Sequence, residues 1–88
     1  MDEKATQLLQ AFVEACPRRF LRSDDWERLY AFTLYVHGQR LGPAVKTVRD
    51  YLMAHGCSLQ KASWVSAEYK HFAELLTLYD QHKVSRVR

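Results

Sequence analysis

The sequence has few of the residues that form tight turns between β-strands, and few cysteines. Its 88 residues include no asparagine, three glycines, two prolines and two cysteines. The Asn-Gly and Asp-Gly pairs of tight hairpins are missing and apolar residues do not alternate with period two, so a β-sheet is not expected. Cys16 and Cys57 are too few for a disulfide framework and do not have the spacing of zinc ligands. We therefore expect a helical protein of a reducing compartment.

The chain also lacks the features of a membrane or secreted protein. No apolar run approaches the ~20 residues that a membrane-spanning helix needs. The stretch MDEKATQLLQAFVEAC opens with acidic residues and carries charges throughout, unlike a signal peptide. The predicted localisation is cytoplasmic, with no membrane partner.

The composition favours one small packed domain. Apolar residues make up 48% of the chain and aromatic residues 12%, which is enough for a core in a single helical domain spanning residues 1–88. A core of this size leaves a thin margin of stability, and small helical proteins often bury more surface by dimerising. The net charge of +3 is a mild excess and supports a nucleic-acid partner only weakly.

The first helix is predicted from its apolar spacing. Residues at three- and four-residue intervals would face the core, and these are Leu8, Leu9, Phe12, Val13 and Cys16. Pro17 ends the helix, because the residue before a proline is pushed out of the helical region.

The second helix begins within RSDDWERLY. Asp24 is predicted to cap it, with Glu27 reaching back to complete a capping box. Apolar residues then cover nearly the whole circumference, which is typical of a helix buried among others, so we place this helix at the centre. Gly38 is the predicted left-handed stop.

The third helix is predicted to begin with Pro43 in its first turn and to end before Gly56, a second left-handed stop. Its inward residues are Val45, Val48, Tyr51 and Leu52. Ser58 is the expected cap of the fourth helix.

The fourth helix keeps its apolar register from about Leu59 to about His82. A break near Ser63 or Ser66 is left open, because serine side chains compete for backbone hydrogen bonds. The tail at 83–88 is polar and expected to fray. The predicted fold is therefore all-α, a compact bundle of about four helices with short loops and a long C-terminal helix.

No constellation predicts catalysis, a metal or a cofactor. His55 and Cys57 flank a glycine, but no second ligand pair accompanies them. Cys57 precedes a helix, whose N-terminus would lower the pKa of the thiol, yet no motif supplies a base or an oxyanion site. We expect no enzymatic activity and no small-molecule substrate.

The corner AHGCS, between the third and fourth helices, resembles a helix-turn-helix in length and composition. In that interpretation the start of the fourth helix enters the major groove, with Gln60, Lys61 and Ser63 near the bases. The predicted phosphate contacts are Arg40, Lys46 and Arg49. Exposed Trp64 and the acidic residue Glu68 argue against this use of the helix.

A family resemblance covers only the middle of the chain. Pro43, Val48-Arg49, Leu52 and the Gly-x-Ser at 56–58 resemble the N-terminal DNA-binding region of plasmid KfrA proteins. The glycine-serine turn sits later than in that family, and its long coiled coil has no counterpart here. The resemblance implies DNA binding, and no residue role is assigned from it.

A second apolar stripe favours protein binding. On the fourth helix it consists of Trp64, His71, Leu75 and Leu78, and on the second helix Phe32 and Tyr35 add to it. Neighbouring helices could cover all of this surface. Otherwise it is a protein interface, of a homodimer or with another protein. We therefore expect a non-enzymatic interaction protein (adaptor, regulator or inhibitor), with a DNA-binding regulator as the alternative.

Overall fold

The computed structural model describes residues 2–16, 19–40 and 42–86, the last four of them by backbone only. Its helices are α1 (Glu3–Ala15), α2 (Ser23–Gly38), α3 (Val45–Ala54) and α4 (Leu59–Arg86). The described residues contain no strand, so the predicted all-α bundle with a long C-terminal helix is confirmed. Within these ranges, no helix combines the length and the apolar character needed to cross a membrane.

α1 forms because its apolar residues share one side. Leu9, Phe12 and Val13 are buried as predicted, and Cys16 is buried just after the last turn. Leu8 lies half-buried beside this core. The helix ends at Ala15, and Pro17 lies outside the described residues.

The start of α2 differs from the predicted capping box. The helix begins at Ser23, which makes Asp25 its third residue. The Asp25 carboxylate accepts a hydrogen bond from the Arg22 backbone N–H at 2.8 Å. Asp24 and Glu27 are both exposed, so the predicted capping box built from these two residues is wrong. The capping acid is Asp25, one residue later than predicted, because Asp25 is the acid that is buried beside the start of the helix.

α2 is central but open on one side. It packs against both α1 and α4. Its buried residues are Asp25, Leu29, Phe32, Thr33 and Val36. Tyr30 and Leu34 are 40% and 44% exposed, so the expectation that every side of α2 is covered is wrong.

The end of α2 also differs from the prediction. Gly38 is helical and is not the left-handed stop. The positive φ angles fall later, at Arg40 (56°) and Gly42 (50°). The helix can continue through Gly38 because nothing in the local sequence forces it to stop there.

Pro43 lies before α3 and not in its first turn. The helix starts at Val45, with Ala44 at the N-cap position. The Pro43 carbonyl accepts a hydrogen bond from the Tyr69 hydroxyl at 2.7 Å. Pro43 therefore belongs to the loop, which it fixes against α4, and the helix starts two residues after it.

The corner between α3 and α4 forms as expected. Gly56 has a φ of 105°, a left-handed conformation that favours glycine. The Ser58 hydroxyl accepts a hydrogen bond from the Lys61 backbone N–H at 3.1 Å and so caps α4. α4 then runs without a break through Ser63 and Ser66.

α4 is much longer than its neighbours. It has 28 residues, against 13, 16 and 10 for α1, α2 and α3. At about 1.5 Å per residue it spans ~42 Å, close to the longest dimension of the molecule, 48 Å. Its buried residues end at Tyr69, so its second half extends along α2 with one side open. This difference in length creates the surface described next.

Candidate interaction surface

Two helices lie side by side and run in the same direction to form this surface. The rings of Tyr30 on α2 and Phe72 on α4 meet edge to face, with centroids 5.1 Å apart. Two turns further along both helices, His37 Nε2 and Asp80 Oδ2 are 2.6 Å apart. These two contacts hold α2 and α4 together over the whole stretch between them.

An apolar groove follows the outer side of this helix pair. We call it the α2–α4 face, and it is lined by Tyr30, Leu34, Phe72, Leu75, Leu76 and Tyr79. Leu75 is 48% exposed and Tyr79 is 65% exposed, in addition to the exposed Tyr30 and Leu34. The groove has a volume of about 440 Å³. Four large apolar side chains in one groove make a contiguous exposed patch, whereas single exposed residues are ordinary.

The predicted interface residues on α4 lie outside the core. Trp64, Leu75 and Leu78 are large exposed apolar residues, and His71 is exposed as well. Leu75 belongs to the α2–α4 face, which joins this stripe to the groove. The structure therefore places the α4 part of the predicted stripe on the surface, but only Leu75 of it lines the α2–α4 face.

The two residues predicted on α2 do not belong to this surface. Phe32 is fully buried, and its ring lies 5.6 Å from that of Tyr69. Tyr35 is half-buried; its hydroxyl donates to the Asp2 carboxylate at 2.6 Å, and the Lys4 ammonium lies over its ring. The prediction for Phe32 is wrong because this residue faces the core, whereas Tyr35 lies on the side of α2 that faces α1, outside the α2–α4 face.

Sequence reasoning missed the residues that complete the groove. Tyr30 and Tyr79 were not among the predicted interface residues, yet both are exposed in the groove. The signal that could have found Tyr79 is helix length, because a helix of 28 residues cannot be covered along its whole length by neighbours of 16 residues or fewer.

Phe20 is a third missed residue. It lies in the loop before α2 and is 92% exposed. It lines a shallow groove of about 500 Å³ with Trp64, Gln60 and the glycine of the α3–α4 corner. This groove lies at the start of α4, away from the α2–α4 face.

The predicted DNA-contacting residues have different surroundings. Arg40, Lys46, Gln60 and Ser63 are exposed. Arg49 lies 3.6 Å from the carboxylate of its neighbour Asp50.

Lys61, predicted near the bases, is half-buried and makes contacts within the chain. Its ammonium donates hydrogen bonds to the Cys16 carbonyl at 2.7 Å and the Arg19 carbonyl at 2.5 Å. The side chain therefore fastens α4 to the end of α1. Two of the three N–H donors of this ammonium are used within the chain.

The two thiols are buried and free. Burial raises the pKa of Cys16 to about 11 and also raises the pKa of Cys57. The expected lowering of the pKa of Cys57 is wrong, because loss of hydration outweighs the attraction of the nearby Lys61 charge. Among the described residues, no three or more His, Cys, Asp or Glu side chains are grouped so that they could hold a metal ion.

A buried carboxylate fixes the start of α2. Asp25 is fully inaccessible to solvent and accepts hydrogen bonds from Arg19, Arg28 and the Arg22 amide. Burial would raise the pKa of this carboxyl, but the hydrogen bonds and charges of these partners lower it below its ordinary value. This cluster holds the loop after α1 against α2.

Comparison with protein-family models, with curated proteins and with solved structures finds no match for this chain.

Proposed function

We propose that this chain is a small non-enzymatic interaction protein, an adaptor, regulator or inhibitor, that binds a polypeptide through the α2–α4 face. The observation that carries the proposal is the grouping of Tyr30, Leu34, Leu75 and Tyr79, each at least 40% exposed, in one apolar groove. Full burial of an exposed large apolar side chain is worth ~1.5–3 kcal/mol, and each of these four has about half of its surface left to bury. Four such residues in one groove provide enough apolar surface for a specific contact.

The shape of the groove favours a helix as the bound element. Two helices that run together leave a straight furrow between them, and an amphipathic helix fills such a furrow with side chains at i, i+3, i+4 and i+7. The tyrosines at both ends of the groove combine large apolar rings with hydroxyl groups, a chemistry enriched at binding hot spots.

The face is held in place before any partner binds. The Asp25 cluster fixes the start of α2, and the His37–Asp80 contact joins its end to α4. A preformed surface loses little conformational entropy on association, which favours binding. The buried thiols of Cys16 and Cys57 suit a reducing compartment, so the proposal includes the cytoplasm as the site of action.

Site-specific photocrosslinking in cells tests this proposal. A photoreactive amino acid at position 75 should give a discrete covalent adduct with another polypeptide chain. The same amino acid at Gln7, which is exposed on α1, is the matched control and should give none. The adduct at position 75 should also disappear when Leu34→Glu places a charge in the groove. Equal labelling at both positions would contradict a specific surface.

DNA binding is the second candidate function, and one observation favours it. The α3–α4 corner has a four-residue connection with Gly56 left-handed and Ser58 as cap, and helix-turn-helix motifs also use a short turn that often contains glycine. Arg40 and Lys46 are exposed and free of any described ion pair, so they could contact phosphates. Fluorescence anisotropy with random duplex DNA at two salt concentrations tests it. Binding that weakens steeply with salt supports this function, and no binding at low salt excludes it.

A further inference from the structure

We propose that the partner of the α2–α4 face is a basic amphipathic helix, with lysine or arginine residues next to the apolar side chains that enter the groove. This inference rests on the proposed function and names the chemistry of the partner of the same face. Two features of the described residues carry it: the sign of the charges beside the groove, and the length of the groove along α4.

The charged side chains beside the groove are acidic. Neighbours on the surface of a helix lie three or four residues apart in sequence. At these spacings from the residues that line the groove, the described acidic side chains are Glu27, Glu68 and Asp80. The described part of the chain places no lysine or arginine at these spacings, and the other titratable neighbours are the histidines His37, His71 and His82. Lys83 lies outside the described side chains. The chain as a whole has a net charge of +3, so the acidic border is a local feature.

Two of the acids stand on either side of one end of the groove. Glu27 lies three residues before Tyr30 on α2, and Glu68 lies four residues before Phe72 on α4. Because the rings of Tyr30 and Phe72 are in contact, both carboxylates belong to the same end of the face. Neither carboxylate has an ion-pair partner in the described ranges of the chain. A cation on a bound helix would therefore find two carboxylates that are not neutralised.

The third acid lies at the opposite end of the groove. Asp80 follows Tyr79 directly, and its side chain is 59% exposed although it contacts His37. Negative charge thus borders the face at both ends. A second copy of this chain would bring acids against acids, because Glu27 and Glu68 would meet either themselves or Asp80. The same charges repel the phosphates of nucleic acid. The charge pattern therefore favours a different polypeptide that is basic.

The length of the groove fits two turns of a helix. From Phe72 to Tyr79 the groove follows α4 for seven residues, or ~10.5 Å. An amphipathic helix with apolar side chains at i, i+4 and i+7 covers the same length. Glu68 lies ~6 Å further along α4. A basic residue one turn outside the outermost apolar residue of the bound helix would therefore lie near Glu27 and Glu68.

Binding of two synthetic peptides is the first test. The lysine peptide is a dye-labelled alanine helix with leucine at i, i+4 and i+7 and lysines one turn outside the leucines. The glutamate peptide has glutamate in place of each lysine. In a fluorescence anisotropy titration at about 0.02 M salt, the lysine peptide should bind at least about tenfold more tightly, and this ratio should shrink at about 0.5 M salt. Equal affinities at low salt, or no binding of the lysine peptide, would overturn the inference.

Charge reversal tests which acids attract the peptide. Glu27→Lys combined with Glu68→Lys should weaken binding of the lysine peptide about tenfold and strengthen binding of the glutamate peptide. The matched control is Glu14→Lys combined with Glu74→Lys, which changes the net charge equally. Glu14 is exposed on α1, and Glu74 lines a groove on another side of α4. The control should change the dissociation constant by less than about twofold at about 0.15 M salt. An equal loss in both double variants would overturn the assignment of these acids.

A pair of leucines tests the position of the peptide. Leu75→Ala should weaken binding of the lysine peptide about tenfold, because Leu75 lies in the α2–α4 face. Leu78→Ala is the control, since Leu78 is 59% exposed on the same helix but lines a different groove. It should change the constant by less than about twofold. Equal effects of the two substitutions would place the peptide elsewhere and overturn the inference. Circular dichroism of each variant confirms that the helices remain.

Failure of this inference and of the proposed function give different results. Mass spectrometry of the photocrosslinked adduct at position 75 identifies the attached segment, which should be positively charged with apolar residues at helical spacing. An acidic or neutral segment of another protein, or a segment of this chain, would overturn the basic partner and support the proposed function. No adduct and no peptide binding would overturn both. A salt-sensitive complex with duplex DNA and no peptide binding would assign the chain to the second candidate function.

Discussion

Arg19 holds the buried carboxylate of Asp25 with two parallel hydrogen bonds, from Nη1 to Oδ2 at 2.8 Å and from Nη2 to Oδ1 at 2.9 Å. The same guanidinium donates from Nε to the Ala15 carbonyl at 3.0 Å. One side chain therefore joins the last residue of α1 to the first turn of α2. The paired geometry matters because a carboxylate without partners in this position would be a buried, uncompensated charge.

Asp25→Asn should lower the free energy of unfolding by about 3 kcal/mol at pH 7, the loss expected when one partner of a buried ion pair is removed. Asn keeps the size of the side chain but loses the charge and one of the two acceptor oxygens. Asp24→Asn is the matched control, because Asp24 is exposed next to it, and it should change stability by less than about 0.5 kcal/mol. Urea denaturation followed by circular dichroism measures both.

The contribution of Asp25 should depend on pH in a defined direction. Its folded-state pKa lies below its ordinary value of 3.8, so its stabilisation is complete above that value. The stabilisation is lost as the pH falls through the folded-state pKa and Asp25 takes up a proton. The difference in unfolding free energy between wild type and Asp25→Asn should therefore be constant from pH 7 to about pH 5 and shrink below pH 4. A difference that grows on acidification would contradict the ion-pair assignment.

Lys61→Met should destabilise the fold, because it leaves the Cys16 and Arg19 carbonyls without their charged donor. The expected loss is about 1.5 kcal/mol, typical of hydrogen bonds to a charged group at a half-buried position. Lys46→Met is the control, since Lys46 is exposed on α3, and it should be close to neutral. Equal stabilities of the two variants would show that the Lys61 ammonium does not hold α1 to α4 in solution.

Two glycine substitutions should have opposite effects. Gly56→Ala should destabilise by about 1 kcal/mol, because φ at this position is 105° and a Cβ atom is strained there. Gly38→Ala should stabilise by about 0.5–1 kcal/mol, because Gly38 is helical and an added Cβ meets no atom within 4 Å. Thermal unfolding of both variants tests the prediction, and a stabilising Gly56→Ala would mean that the corner adopts another conformation.

Cys16 and Cys57 should react slowly with a thiol reagent in the native protein, because both are buried and burial raises the pKa of each thiol. Addition of urea should release both thiols together with unfolding. Thr77→Cys provides an exposed thiol for comparison, which should react at the rate of a free cysteine. Rapid native reaction of two thiols in wild type would contradict the buried positions.

Some features of the fold follow from local sequence alone. Ser58 and Gly56 act where they were predicted, because a cap and a left-handed residue depend on the backbone within one turn. The continuous register of α4 was also readable, since its periodicity does not depend on any other helix. These local rules are sufficient for the number of helices and for the α3–α4 corner.

Which side of α2 faces the core and which faces solvent could not be predicted from the sequence. Apolar residues occur all round this helix, so periodicity does not say which of them face solvent. Phe32 is buried and Tyr30 is exposed because α1 and α4 occupy particular sides of α2. The same reason explains Tyr35, which α1 covers with Asp2 and Lys4.

The long-range polar contacts were equally beyond local reasoning. Lys61 donates hydrogen bonds to carbonyl groups more than forty residues away in the chain, and no residue near Lys61 in the sequence predicts these contacts. Asp25 is a comparable case, because an acidic residue at a helix start is ordinarily exposed, and only the position of Arg19 allows this one to be buried.

The sequence by itself determined that this protein is helical and where the corner between α3 and α4 lies. Helix propensity, capping and apolar periodicity depend on residues close together in the chain, so they can be predicted without knowing the tertiary structure. Only the tertiary structure decided which apolar residues form the core and which form the α2–α4 face. That choice depends on where neighbouring helices end, and α4 extends beyond helices too short to cover it.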